Sequence, residues 1–137
     1  SSGGLAVRGH IAGKDGIYAA ALLVEMLAVT GKSVSQLYQE ITDKYGMLYY
    51  EDAAFTMTQA RKVELQEKLF VKLEVPDFGN AVEKINRADG CKVYFTDGSG
   101  VICRFSGTEP LLRMAAEGES QSQARTYIRI WREALGL

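Results

Sequence analysis

Histidine and cysteine are scarce in this sequence of 137 residues, which contains one histidine and two cysteines. The single histidine, His10, excludes a zinc site built from several histidines. The two cysteines, Cys91 and Cys103, are too few for a disulfide scaffold in a chain with enough apolar residues for a core. We therefore expect reduced thiols, no metal site in this chain and a cytoplasmic protein.

An excess of charge of either sign is also absent. The chain has 16 Lys and Arg residues against 17 Asp and Glu residues, and its isoelectric point is about 5.9. A protein that binds nucleic acid needs a basic surface to contact phosphates, so nucleic acid is not expected as a partner. With 47% hydrophobic residues, the composition is that of a folded globular protein and excludes a disordered one.

No hydrophobic run reaches the roughly 20 residues of a membrane-spanning helix. The most hydrophobic one, residues 17–29, is interrupted by Glu25 and is predicted to be a buried core helix. The chain opens on Ser1-Ser2-Gly3-Gly4 without a signal-peptide pattern, and this start is interpreted as a cut through a loop. We expect no membrane partner.

Two helices are predicted before residue 46. The first spans residues 15–30, with Asp15 as its N-cap and Gly31 as its stop signal. Ser33 and Gln36 form a capping-box pattern that begins the second. The first helix is apolar on all sides, and such a helix should be covered on more than one side. This pattern predicts that a larger parent domain has been truncated.

Residues 46–137 are predicted to form an α+β domain, an antiparallel sheet of about four to five strands with two helices on one face. The predicted strands are residues 47–50, 54–57, 82–88, 91–96, 101–105 and 111–118, and the predicted helices are residues 58–70 and a last helix that begins after Ser120. Asp89-Gly90 and Asp97-Gly98 are hairpin signals. The apolar faces are predicted to carry Ala60, Val63 and Phe70 on the first helix and Ala124, Tyr127, Ile128, Trp131 and Leu135 on the last.

The most informative segment joins the last two predicted strands, and its polar residues suit a phosphate group. They are Arg104, Ser106, Gly107, Thr108, Glu109 and Arg113. Arginine offers a planar fork to phosphate oxygens, while hydroxyls and exposed backbone N–H groups satisfy the remaining acceptors. Glu109 would repel a phosphate, so it is expected to orient an arginine. The alternative interpretation is an ordinary polar turn with solvated arginines, and spacing alone does not decide between the two.

Four other features of the sequence give weaker indications of a functional site. The tripeptide Gly31-Lys32-Ser33 lacks the upstream glycine of a P-loop and is interpreted as a helix stop followed by a cap. Cys103 is expected to be a packed thiol, and Tyr127 and Trp131 core residues rather than a ligand platform. The basic residues Arg8, His10 and Lys14 either face a cleft in a parent enzyme or lie in a solvated loop.

The segment Arg104-x-Ser106-Gly107-Thr108-Glu109-Pro110-x-x-Arg113, preceded by Asp97-Gly98-Ser99 and followed by Glu117, resembles the phosphate-binding loop of the phosphoglucomutase/phosphomannomutase family. Ser2-Gly3-Gly4 and Lys14-Asp15-Gly16-Ile17 resemble the end of that family's third domain. The resemblance covers the whole chain. It implies that residues 1–45 are a remnant of domain three, which holds the end of the sugar loop and two helices. Residues 46–137 are then domain four, the C-terminal phosphate-binding domain.

This resemblance implies that the parent protein is an isomerase that moves a phosphoryl group between the 1 and 6 positions of a hexose, through a phosphoserine. Arg104, Ser106, Gly107, Thr108 and Arg113 would then hold the non-transferring phosphate. The partners would be a hexose phosphate or inorganic phosphate, both bound weakly, and the missing domains one to three.

The family's catalytic serine lies in its first domain and its Mg²⁺-binding aspartate loop in its second, and neither motif occurs here. The fragment is therefore expected to hold no catalytic residue and no cofactor, and to be inactive alone. The sugar loop survives only as Ser2 and Gly3, so the preferred hexose is left open. The alternative function is a non-catalytic protein-interaction module with the same fold, in which residues 104–113 form an ordinary turn.

Overall fold

The computed structural model describes residues 4–72, 74–107 and 109–137. The chain divides into two compact units, residues 1–46 and residues 47–137. Ser2, Gly3 and Thr108, three of the predicted site residues, lie outside the described part of the chain.

The first unit contains helix α1 (Gly16–Thr30) and helix α2 (Val34–Tyr45). Both begin where the sequence predicts, because the Asp15 carboxylate accepts the first free amides of α1 and Ser33 and Gln36 form the reciprocal bonds of a capping box. Gly31 ends α1 in the left-handed conformation, with φ 65°. The predicted bounds of α1 are thus confirmed.

The prediction that α1 is a buried core helix is wrong for this chain. Neither α1 nor α2 contains a buried residue, and Ile17 and Val29 are 86% and 79% exposed. Two helices and a loop do not supply the second layer that would cover an apolar helix on several sides. Among the described residues, no single helix is long and apolar enough to cross a membrane; α1 and α2 pass that test only together, as a pair bent by 85°.

The second unit is a five-stranded antiparallel sheet. Its strands are β1 (Tyr49–Thr56), β2 (Val82–Asn86), β3 (Cys91–Phe95), β4 (Gly100–Phe105) and β5 (Leu111–Gly118), and its helices are α3 (Gln59–Gln66) and α4 (Gln121–Leu135). The spatial order is β1-β5-β4-β3-β2, so strands two to five form a meander and β1 joins it beside β5. The predicted α+β class is confirmed, and the two predicted segments around residue 50 are one continuous strand.

The core lies on one face of this sheet. Alternate residues of β3, β4 and β5 point into it, and α4 covers them with the face predicted from its sequence. The buried residues of α4 are Ala124, Tyr127, Ile128, Trp131 and Leu135. Cys91 and Cys103 face each other in the register of β3 and β4 and are fully buried, which confirms packed thiols.

Helix α3 differs from its prediction in the face that it buries. Leu65 and Leu69 lie in the core, whereas Ala60 is exposed and Val63 is 56% exposed. After Gln66 the helix continues as a π-helical turn, residues Glu67–Val71, which shifts the register of the side chains that follow. Of the predicted face only Phe70 packs against the core.

Candidate functional site

Two arginines lie directly opposite each other on the open face of the sheet. Arg104 of β4 and Arg113 of β5 are partners in the antiparallel register. Their strand neighbours Cys103, Leu112 and Met114 are buried, so alternation places the arginines on the face away from α4. Like charges directly opposite in a sheet are unfavourable, and this pair therefore creates a local site that favours an anion.

An aspartate in the neighbouring hairpin orients one of the two arginines. The Nε atom of Arg104 lies 3.2 Å from Oδ2 of Asp89, a residue of the turn between β2 and β3. Arg113 makes no ion pair within the part of the chain that the structure describes. The pair with Asp89 is exposed and contributes little to stability, and it places the Arg104 guanidinium beside the turn between β2 and β3.

The loop between β4 and β5 is closed by its own backbone. The Ser106 amide donates to the Leu111 carbonyl oxygen at 2.8 Å, and the Glu109 amide donates to Oγ of Ser106 at 3.3 Å. Gly107 is exposed, and nothing lies within 4 Å of the position that a β-carbon would occupy there. A ligand can therefore approach the backbone of Gly107 closely.

Lys62 contacts the loop between β4 and β5, and the sequence did not predict this contact. Its ammonium donates to the carbonyl oxygens of Ser106, at 2.7 Å, and of Glu109, at 3.3 Å. The lysine belongs to α3 and precedes Ser106 by 44 residues. No local spacing connects the two segments, so only the tertiary structure identifies this contact.

The sequence predicts that Glu109 orients an arginine. Within the described residues its carboxylate makes no ion pair with Arg104 or Arg113, and its contacts run through its amide and carbonyl groups. Asp89 takes the expected position because the hairpin that contains it lies beside β4 in the sheet.

A polar network ties the turn after β3 to α4. The carboxylate of Asp97 accepts hydrogen bonds from the Ser99 amide at 2.9 Å, from Asn80 at 2.7 Å and from Gln123 at 3.0 Å. The hydroxyls of Ser99 and Tyr127 lie 2.9 Å apart, and Ser99 is buried. Partial burial raises the pKa of Asp97, but the hydrogen bonds from Ser99, Asn80 and Gln123 outweigh it, so the net pKa lies below its usual value. The network fixes the β3–β4 hairpin, and with it the strand that carries Arg104.

The basic residues of the first unit lie in an exposed loop before α1. His10 bonds to Asp15 at 2.8 Å and stacks on the ring of Tyr18, with 4.1 Å between the ring centroids. The hydrogen bond from His10, followed by that from the Tyr18 amide, lowers the pKa of Asp15. Arg8 and Lys14 are also exposed, and a β-carbon on Gly4 would collide with the stem of Lys14.

Among the described residues, no group of three or more His, Cys, Asp or Glu side chains is placed to hold a metal ion. Burial, with a further contribution from Cys91, raises the pKa of the Cys103 thiol, so this thiol is not an activated nucleophile.

The fold is a small α+β domain in which two arginines lie opposite each other near one end of the sheet. Residues 56–132 match the family model described as phosphoglucomutase/phosphomannomutase, C-terminal domain, and residues 1–45 match that of alpha/beta/alpha domain III of the same family. The chain belongs to the phosphoglucomutase/phosphomannomutase family.

Its relatives are much longer than this chain. It is 33% identical over 129 residues to the phosphoglucomutase/phosphomannomutase of Thermococcus kodakarensis. This alignment covers 94% of the present chain and 26% of the relative. It is 36% identical over 107 residues to a probable phosphoglucosamine mutase of Methanosarcina acetivorans, over 78% of this chain and 22% of the relative. The chain thus spans about a quarter of the length of these curated relatives.

A solved structure has the same fold. It is the open form of pp63/parafusin, an exocytosis-sensitive phosphoprotein and phosphoglucomutase of Paramecium. The match has a TM-score of 0.62 at 22% identity and covers 93% of this chain and 28% of the other. At this identity the likeness supports the fold alone.

Proposed function

We propose that residues 104–113 bind the phosphate group of a sugar phosphate. The observation that carries the proposal is the direct opposition of Arg104 and Arg113 on the open face of the sheet. A phosphate between the two guanidiniums relieves their repulsion and accepts several charge-assisted hydrogen bonds. Ser106 and Gly107 lie in the loop that joins the two strands and supply further donors, and the sequence adds Thr108.

The parent protein, in this proposal, is a phosphohexomutase that interconverts hexose 1-phosphate and hexose 6-phosphate. Residues 1–45 are the end of its domain three, and residues 46–137 are its domain four. The loop holds the phosphate that is not being transferred, and this remote contact orients the sugar for the reaction. In the full-length enzyme, Arg113→Ala is expected to raise KM and to lower kcat.

This chain alone is proposed to bind weakly and to lack catalytic activity. Charge-assisted hydrogen bonds contribute about 1.5–3 kcal/mol each, whereas association costs about 4–15 kcal/mol. A few such bonds at one end of a sheet therefore give a dissociation constant on the order of millimolar or weaker. The residues that would activate a phosphoryl group in the parent protein are proposed to lie in its other domains.

An NMR titration of the 137-residue chain tests the binding site. Glucose 1-phosphate and, separately, inorganic phosphate are expected to shift the amides of the described residues between Arg104 and Arg113, and Arg113→Ala is expected to abolish the shifts. Arg129→Ala is the matched control, because Arg129 is an exposed arginine that pairs with Glu133 on α4. The absence of local shifts at tens of millimolar phosphate would contradict the proposal.

A further inference from the structure

The carbonyl oxygens of the loop are held from the helix side of the sheet. The Lys62 ammonium donates to Ser106 and Glu109, whose carbonyl groups lie on either side of the loop centre. Lys62 is partly buried, and it follows Thr58, the N-cap of α3, by one turn. Since α3 packs Leu65 and Leu69 into the core, the lysine approaches the loop from the covered face of the sheet.

This contact determines the direction of the next amide. The described peptide bonds are all trans, and in a trans peptide the C=O and the N–H point in opposite directions. With the Ser106 carbonyl oxygen bonded to Lys62, the Gly107 N–H points away from the lysine ammonium. That N–H makes no backbone hydrogen bond within the described residues, and nothing lies within 4 Å of the position that a β-carbon would occupy at Gly107.

We propose that Lys62 is a positioning residue of the phosphate site, which orients the Ser106–Gly107 peptide so that the Gly107 amide donates to the bound phosphate. The inference rests on the proposed function of residues 104–113. An ammonium on the carbonyl oxygen also polarises the peptide group and makes its N–H a better donor. Lys62 thus acts through the backbone and does not itself touch the ligand.

A second lysine provides a matched control. Lys68 lies in the π-helical turn that extends α3, and its ammonium donates to the carbonyl oxygen of Ala134 at 2.7 Å. It makes the same kind of tether as Lys62 but joins the helix to the end of α4. Loss of Lys68 therefore removes one charge, one lysine–carbonyl bond and an exposed ion pair with Glu74, none of which involves the loop.

The test measures phosphate affinity and the Gly107 amide signal in the 137-residue chain, with inorganic phosphate as the probe. Lys62→Met is expected to weaken phosphate binding about tenfold, to shift the Gly107 amide before phosphate is added and to reduce its response to phosphate. Lys62→Arg, which keeps a donor and the charge, is expected to stay within about threefold of the wild type, and Lys68→Met to bind as the wild type. If Lys62→Met does not fold, Lys62→Gln, which also removes the charge, is compared with the wild type and with Lys62→Arg in its place.

The outcomes separate the two proposals. If wild-type protein shows no response between Arg104 and Arg113, both the phosphate site and the role of Lys62 are wrong. If wild-type protein responds and Lys62→Met binds equally well, only the role of Lys62 is wrong. A weaker affinity with an unchanged Gly107 response would assign the loss to charge alone and would also overturn the positioning role.

Discussion

A β-carbon on Gly90 would lie 2.6 Å from the carbonyl oxygen of Cys103, closer than real atoms approach. The turn between β2 and β3 therefore requires glycine for two reasons, since the φ angle of Gly90 is also positive, at 102°. The residues on either side of this contact, Asp89 and Arg104, form the ion pair at the arginine site. The geometry of the site thus depends on a residue that has no side chain.

Replacing Gly90 is expected to cost more stability than replacing a glycine that has only the φ strain. Gly98 is the matched control, because its φ is 84° and nothing lies within 4 Å of a β-carbon there. Gly98→Ala should lower the free energy of unfolding by about 1–2 kcal/mol and Gly90→Ala by about 3 kcal/mol or more. Urea unfolding monitored by the fluorescence of Trp131, the single tryptophan, measures both. Equal losses of unfolding free energy in the two variants would show that β4 moves away from the added β-carbon of Gly90→Ala without a further loss of stability.

Neutralising one arginine of the opposed pair should not destabilise the chain in the absence of phosphate. We expect Arg113→Gln to unfold at the same urea concentration as the wild type or slightly later, because it removes a like-charge contact worth about 0.2–1 kcal/mol. Phosphate at ten times its dissociation constant should stabilise the wild type by about 1.4 kcal/mol and leave the variant unchanged.

The control for that comparison is Arg125→Gln. Arg125 pairs with Glu51, with Nε and Oε2 3.3 Å apart, so its loss removes an attraction instead of a repulsion. It should keep its phosphate response. A phosphate response in Arg113→Gln equal to that of the wild type would show that the arginine pair is not the anion site.

Acid should destabilise the second unit in part through Asp97. The pKa of this carboxyl is lower in the folded chain than in the unfolded chain, so the unfolded state binds the proton more tightly. The stability that this difference supplies is complete above the ordinary aspartate pKa of about 3.9 and is lost as the pH falls through the lower folded value. Unfolding free energies measured by Trp131 fluorescence from pH 7 to pH 3 should fall less steeply in Asp97→Asn.

Asp77→Asn provides the comparison for this acid dependence, because within the described residues Asp77 accepts a hydrogen bond only from the nearby Gly79 amide. It should keep the wild-type slope below pH 4. A slope in Asp97→Asn that equals the wild-type slope would show that the bonds from Ser99, Asn80 and Gln123 do not favour the charged carboxylate.

Truncating α3 at two positions tests which of its faces is buried. Leu69→Ala removes a fully buried side chain and is expected to cost about 2–5 kcal/mol. Val63→Ala, at a position that is 56% exposed, should change the unfolding free energy by less than about 0.5 kcal/mol. Chemical denaturation measures both, and a large loss at Val63 would restore the face predicted from the sequence.

Local signals in the sequence predicted the structure where the relevant interaction is local. The caps Asp15 and Ser33 bond to residues within one helical turn, and the apolar face of α4 repeats at a single period along one helix. The face of α3 was mispredicted because Ala60 and Val63 are apolar like Leu65 and Leu69, and which of these residues are buried depends on how the helix packs against the sheet. The arginine site follows the same rule, because Arg104 and Arg113 lie in one short segment and could be recognised from that segment alone.

Their supporting residues do not stand out, because they come from elsewhere in the chain. Lys62 reaches the loop from α3, and Asp89 reaches Arg104 from a different hairpin. Asn80 and Gln123 meet at Asp97 although they are more than 40 residues apart. Such contacts depend on the order of strands in the sheet, which no single segment encodes.

The pairing of β1 with β5 has a consequence for synthesis of the chain. Tyr49 pairs with Gly118 and Thr56 pairs with Leu111, so β1 leaves the ribosome long before its only neighbour exists. At about 5–20 residues per second, translation of the intervening segment takes on the order of several seconds. During that delay β1 is a strand with no partner, whereas each hairpin from β2 to β5 can close as soon as it emerges. The newly made chain is therefore most exposed to mispairing at residues 49–56, and it is released from this hazard only when β5 is complete.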